Sequence, residues 1–128
     1  MAYPSDRKYS TDHEWVRVSG NVATVGISHH AQDALGEIVH VELPAVGKTF
    51  KKGDSAAEVE SVKAVSDVYA PVSGTVTEVN SALEGSESTL NSDPHEGGWL
   101  FKLSLSNPAE VDALMDAGAY GDHAGNDF

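Results

Sequence analysis

The 128-residue chain contains no cysteine. Disulfides, thiol nucleophiles and thiolate metal sites are excluded together, and a reducing compartment suits such a composition. Basic residues are scarce as well: eight Lys and Arg against twenty Asp and Glu give a formal net charge of −12. A surface this acidic repels phosphate backbones and anionic lipid heads, so neither nucleic acid nor a membrane is expected as a partner. The same charge keeps a chain soluble and steers it toward basic surfaces on other proteins. Long apolar runs are missing too. No stretch approaches a membrane span, and the opening MAYPSDRKYSTDHEW has neither the apolar core of a signal peptide nor the Arg-rich, acid-poor character of a transit segment. The chain reads as a cytosolic protein of one domain, residues 1–128, large enough to bury roughly two thirds of the surface its unfolded form exposes.

What is present is mostly β pattern. WVRVSGNVATVGI alternates apolar residues on either side of Ser19-Gly20-Asn21, which predicts a hairpin with strands at about 14–18 and 22–27. SHHAQDALGE predicts a short helix near 29–35, with Ser28 as its cap and Gly36 as its stop. From 37 to 80, the short runs EIVHVELP, KTF, SAAEVESV, SDVYAPV and GTVTEVN are separated by Pro44, Gly47, Gly53, Pro71 and Gly74. Strands this short and this often interrupted point to a sandwich or small barrel, not to βαβ units. A faint echo links VGKTFKKGD with VSGTVTEVN, one on each side of Lys63. Residues 81–98 read as a polar surface connection, and WLFKLSLS as the last strand. NPAEVDALMDAG predicts a helix near 108–116, with Asn107 as cap, Pro108 at its first position and Glu110 closing a capping box. The core is expected over about 9–120, with 1–8 and 121–128 loose.

Between Gly53 and Phe101 the only Lys or Arg is Lys63, set among Glu58, Glu60 and Asp67. Three readings stand for it. One is an exposed lysine paired with Glu60 or Asp67, worth on the order of 0–1 kcal/mol. A Schiff-base or general-base lysine is the second; it needs its ammonium form disfavoured, and anionic neighbours act the other way. The third is an amine acylated by another enzyme, which needs an exposed tip on a rigid scaffold and no depressed pKa. ESV and SDV read as strands and leave the lysine near their turn, which suits that role.

ESVKAVSDVYAPVSG resembles the lipoylation segment of the glycine cleavage system H protein family. The likeness continues in one register through DHEWVRV, ATVGIS, AQDALGEIVHVELP, EVN, DPHEGGW and NPAEVDAL, over about residues 9–120. A biotin carrier would be expected to place Met on both sides of the lysine, where this chain has Val62 and Ala64. The resemblance implies a mainly β barrel-sandwich hybrid of two antiparallel sheets, with the lysine on a hairpin turn and a C-terminal helix alongside. It implies a carrier and no enzyme activity of its own, a monomer with no metal, and lipoate held as an amide on Lys63. The implied partners are glycine decarboxylase, aminomethyltransferase, dihydrolipoamide dehydrogenase, and a lipoate ligase or lipoyl/octanoyl transferase. By the same match, the loaded arm folds into a cleft whose carboxylates are Glu14 and Asp67 and whose walls are Ile27, Ala31 and Leu35. Glu60, Val62 and Ala64 frame the lysine for recognition. Some members of the family have His where this chain has Ala34, so one polar contact to the arm is missing here.

The alternatives stay in view. An exposed strand-end acid is the competing reading of Glu14. A related carrier that relays lipoyl groups to other proteins, or an unmodified binding module of the same fold, competes for the whole chain. His29, His30 and Asp33 have a spacing that could hold a metal, but three candidate ligands without further support read as a solvated helix face. Trp15 and Trp99 read as packing residues, since no basic patch accompanies them.

Overall fold

The computed structural model describes residues 3–125; residues 1, 2 and 126–128, which belong to the ends expected to be loose, lie outside that description. In chain order the elements are β1 (Lys8–Tyr9), β2 (Glu14–Ser19), β3 (Val22–Ile27), α1 (His29–Leu35), β4 (Ile38–Glu42), β5 (Thr49–Phe50), β6 (Ser55–Ser61), β7 (Val65–Tyr69), β8 (Gly74–Val79), α2 (Thr89–Ser92), β9 (Phe101–Leu105) and α3 (Ala117–Ala124). Two antiparallel sheets hold the strands, one in the order β1-β2-β3-β9-β8-β5 and one in the order β4-β6-β7. Among the described residues no helix is long and apolar enough to cross a membrane.

The β2–β3 hairpin turns at Gly20 and Asn21, Ser19 facing Val22, with Gly20 at φ 62° where a side chain would be strained. Ser28 caps α1 by accepting from the Ala31 amide at 3.2 Å, as the sequence predicts. The echo on either side of Lys63 becomes two nested pairs. β6 pairs with β7 and, outside them, β5 pairs with β8, Thr49 facing Thr75. Chain folded back twice about one point sets that point at the corner of the inner hairpin.

The main core lies between the sheets. Val16, Ala23 and Val25 of β2 and β3, Val76 of β8, and Phe101 and Leu103 of β9 meet Val41, Val59 and Val68 of the smaller sheet, all buried. At roughly 1.5–3 kcal/mol for each fully buried large aliphatic or aromatic side chain, this is the main stabilising term. A second, aromatic core covers part of the other face of the larger sheet, built from Tyr3, Tyr9, Trp15 and Tyr120. Tyr9 and Tyr120 stack with ring centroids 4.5 Å apart. Trp15 lies flat on Gly26, where a Cβ would stand 2.5 Å from the indole, and donates its Nε1–H to the Pro94 carbonyl at 2.9 Å.

Four expectations are corrected here. The lead-in is held, not loose: Tyr3 and Arg7 are buried, the Arg7 guanidinium lies 4.6 Å from the Trp15 ring centre, and it pairs with Glu96 at 2.9 Å. The connection 81–98 is not only a surface loop, because a 3₁₀ turn at Ser81–Leu83 and α2 put Leu83 and Leu90 into the main core. The helix expected over 108–116 is a 3₁₀ helix over Pro108–Ala113, and its capping box is not used. Asn107 caps nothing with its side chain, while the Glu110 carboxylate accepts from the Ser73 amide at 2.7 Å and the Ser73 hydroxyl at 3.0 Å. The α-helix comes later, at Ala117–Ala124, and runs into the tail expected to be loose over 121–128. Asp116 caps it by accepting from the Ala119 amide at 2.8 Å, and Tyr120 and Gly121 are buried.

Candidate functional site

Lys63 stands at the β6–β7 corner. Ser61 closes the turn: its amide donates to the Ala64 carbonyl at 2.8 Å, and its hydroxyl oxygen accepts from the Lys63 and Ala64 amides at 3.3 and 3.1 Å. Ser61 is itself buried, while Val62, Lys63 and Ala64 are exposed. Among the described residues Lys63 forms no ion pair, so the pairing with Glu60 or Asp67 weighed from the sequence is not made. Glu60 points outward on β6, opposite Val65 of β7 and His40 of β4.

The corner leans on the connection between α1 and β4. The Val62 amide donates to the Glu37 carbonyl at 3.0 Å. Gly36, with φ 82° and ψ −152°, leaves the Lys63 stem room to lie along it; a Cβ there would be 3.3 Å from Lys63 Cε. Asn91 of α2 fixes this connection, donating from Nδ2 to the Gly36 carbonyl at 2.8 Å and to Gln32 Oε1 at 3.0 Å, and accepting at Oδ1 from the Ile38 amide at 3.0 Å. Gly36 is legible in the chain as a helix stop. Asn91 carried no signal, since a lone asparagine in a polar stretch is ordinary.

A cavity of about 170 Å³ opens at the other end of the hairpin, lined in part by Ser10, Asp12, Glu14, Lys52, Tyr69 and Met115. Between it and the lysine corner runs β7, whose span from Val65 to Tyr69 is about 13 Å at the usual strand rise. Glu14 is 2% exposed, which removes the reading of an exposed strand-end acid. Its carboxylate accepts from the Ser10 hydroxyl at 2.5 Å and the Tyr69 amide at 3.3 Å. Burial pushes the Glu14 carboxyl up to about 7 against the pull of those two hydrogen bonds. A carboxyl titrating there is poised to become an anion when a cation arrives.

The other site residues divide. Ile27 faces Glu14 across the β2–β3 ladder and is buried. Ala31 and Leu35 of α1 pack on the main core, on the helix whose end supports the lysine. Asp67 points outward on β7, accepts from the Ser55 hydroxyl at 2.9 Å, and lines a separate groove with Glu42, Glu58 and Lys48. Glu14 and Asp67 therefore belong to different hollows. The sequence reading missed Ser10 and Tyr69, the two residues that hold Glu14.

The histidines are not a solvated face. His30 packs on His13 with ring centres 4.4 Å apart, His123 stacks on His13 at 5.4 Å, and His13 Nδ1 lies 2.7 Å from the Tyr120 hydroxyl. The His29 amide donates to His95 Nε2 at 3.1 Å. Asp33 is exposed, and among the described residues no three acidic or histidine side chains are placed to hold a metal ion.

The comparisons agree with one another. The family model for the glycine cleavage H-protein matches residues 7–126. The glycine cleavage system H protein of Laribacter hongkongensis is 57% identical over 118 residues, 91% of this chain and 93% of that one. That of Xanthobacter autotrophicus is 58% identical over 115 residues, 90% of this chain and 92% of its own. The crystal structure of a glycine cleavage system H protein from Mycobacterium marinum superposes with a TM-score of 0.88 at 40% identity, covering 96% of this chain and 99% of that one. The chain belongs to the glycine cleavage H-protein family, the lipoyl carriers of the glycine cleavage system.

Proposed function

We propose that Lys63 is the residue of this chain that carries lipoate, and that the cavity at Glu14 receives the loaded end of the arm. One observation supports this most directly: the lysine is exposed, makes no ion pair among the described residues, and stands at a corner closed by a buried serine and braced from behind. An amine presented in this way meets an acylating enzyme with little to displace. Lipoate in amide linkage on Lys63 would supply a dithiolane that can be opened reductively to hold the aminomethyl group of glycine, received from a pyridoxal-phosphate glycine decarboxylase and passed to a tetrahydrofolate-dependent aminomethyltransferase, leaving a dithiol for dihydrolipoamide dehydrogenase to reoxidise.

The protein's own part is position and shelter. Ser10 and the Tyr69 amide hold the Glu14 carboxylate toward the cavity, and Leu114 and Met115 give it apolar walls that limit water. A cationic end group beside Glu14 favours its anionic form, with a charge-assisted hydrogen bond as the gain. Asp67, in its own groove, serves recognition at the surface with Glu60 and does not line this shelter.

The test is the intact mass after incubation with lipoate, ATP and a lipoate ligase. One lipoyl increment is expected, and none in Lys63→Arg. An increment retained in the variant, or absent from the parent while the ligase modifies another acceptor, overturns the assignment. Glu14→Ala is expected to accept lipoate normally and to lose the aminomethyl group faster; an unchanged lifetime of the loaded form removes Glu14 from the shelter.

A further inference from the structure

Resting on the reading of Lys63 as the acylated residue, we propose that Gly36 and Asn91 are positioning residues that set Lys63 in place for acylation. Glycine has no side chain, and among the described residues the Asn91 side chain makes its hydrogen bonds to Gln32, Gly36 and Ile38, so both act through the α1–β4 connection on which the hairpin leans.

Gly36 does more than stop a helix. Its amide donates to the Gln32 carbonyl at 2.9 Å, as a helix end requires. An ordinary left-handed cap, which asparagine can also fill, has ψ near +47°. Gly36 has φ 82° and ψ −152°, in or near a region that essentially only glycine occupies. That turn leaves the Glu37 carbonyl facing the Val62 amide, next to the lysine, at 3.0 Å. The absent side chain matters separately, because Lys63 Cε lies 3.3 Å from where a Cβ would be, and the stem would have to move.

Asn91 holds that unusual turn. One amide side chain bonds three groups of the connection: the Gly36 carbonyl, Gln32 Oε1 and the Ile38 amide. The residue before it, Leu90, is fully buried and anchors α2 in the main core. A continuous line of contacts therefore runs from the core through Asn91 and Gly36–Glu37 to Val62 and Lys63. Its effect is to give the amine one place to stand, which lowers the ordering cost when an enzyme must bring it to a reactive carbonyl.

The step it serves is ordinary acyl transfer. ATP activates the lipoate carboxyl as an adenylate with loss of pyrophosphate; the deprotonated Lys63 Nζ attacks the acyl carbon. The C–N bond forms as the C–O bond to AMP breaks, AMP leaves with the bonding pair, and the nitrogen gives up one proton to solvent.

The experiment measures acylation by a lipoate ligase, by intact mass against time, at a temperature where every variant is folded. Gly36→Ala and Asn91→Ala are each expected to lower kcat/KM for acylation by about tenfold, and together by little more than the worse one, because they act through one support. Glu110→Ala, which frees Ser73 at the β7–β8 connection beyond the other end of the hairpin, destabilises without touching the support and is expected to be acylated at the parent rate. Amide hydrogen exchange separates support from stability. Protection of Val62 relative to Val59 is expected to fall in the two support variants and to stay at the parent ratio in Glu110→Ala. Should Gly36→Ala not fold, Asn91→Asp carries the test, since it keeps the acceptor for Ile38 and loses the donor to Gly36. Parent protein acylated and support variants acylated as fast as Glu110→Ala overturns the positioning role and leaves the carrier reading intact. A parent that is not acylated overturns both.

Discussion

Glu14 shows what one buried carboxyl does to pH behaviour. Folded, it titrates at about 7; its ordinary value is 4.5. The folded form binds this proton more tightly, so the stability it contributes is complete below 4.5 and lost as pH rises through 7. His95 runs the other way: burial, with Arg7 nearby, lowers it from 6.5 to about 4, so its contribution is present above 6.5 and lost as pH falls toward 4. Between roughly pH 4.5 and 6.5 the two oppose each other. In Glu14→Gln the urea midpoint is therefore expected to fall more steeply than the parent's on going from about pH 7.5 to pH 5, with the variant gaining most over the parent at the alkaline end. Parallel curves would show that the proton on Glu14 has no energetic role. At this scale the sequence was generous where chemistry is rare and silent where it is common. A single lysine in an acidic stretch announces itself, whereas Ser10, Tyr69 and Asn91 are ordinary residues that acquire a role only through neighbours far away in the chain.

Elements with local patterns were legible, and those made by distant packing were not. The β2–β3 hairpin, the capped helix α1 and the strands around Lys63 each carry their own alternation or turn residues. The C-terminal region misled because its cap signature is genuine chemistry put to another use. Glu110 satisfies Ser73 at the end of the β7–β8 connection instead of closing a capping box. Removing it in Glu110→Ala is expected to cost about 1 kcal/mol in urea unfolding while leaving the helical dichroism unchanged, since an unmet half-buried amide, and not a frayed helix, is the loss. Loss of helical signal would restore the capping role. Helix α3 exists for a reason no eight-residue window contains: Tyr120 stacks on Tyr9 and its hydroxyl meets Ser28 and His13. Tyr120→Ala is expected to cost about 3–5 kcal/mol, near the range for deleting a large buried aromatic, and to unravel α3. A loss below about 1 kcal/mol would mean the helix stands without its anchor.

For the molecule as a whole, charge is the dominant long-range term. A net charge of −12 on so small a surface repels itself, and only four ion pairs join described residues, so salt has more repulsion than attraction to screen. The urea midpoint is expected to rise between about 20 and 200 mM sodium chloride; a fall would show that the ion pairs around Arg7 outweigh the repulsion. The aromatic core has a different kind of consequence. It joins Tyr3 and Tyr9 to Tyr120, and the cavity at Glu14 is walled by Ala113, Leu114 and Met115. A ribosome delivers those last residues after every strand has been made. During synthesis the lysine corner, with Gly36 and Asn91 behind it, is complete in sequence while the cavity still lacks a wall. On the function proposed above, a chain cut short before residue 113 would be able to receive lipoate at Lys63 and unable to shelter what the arm carries.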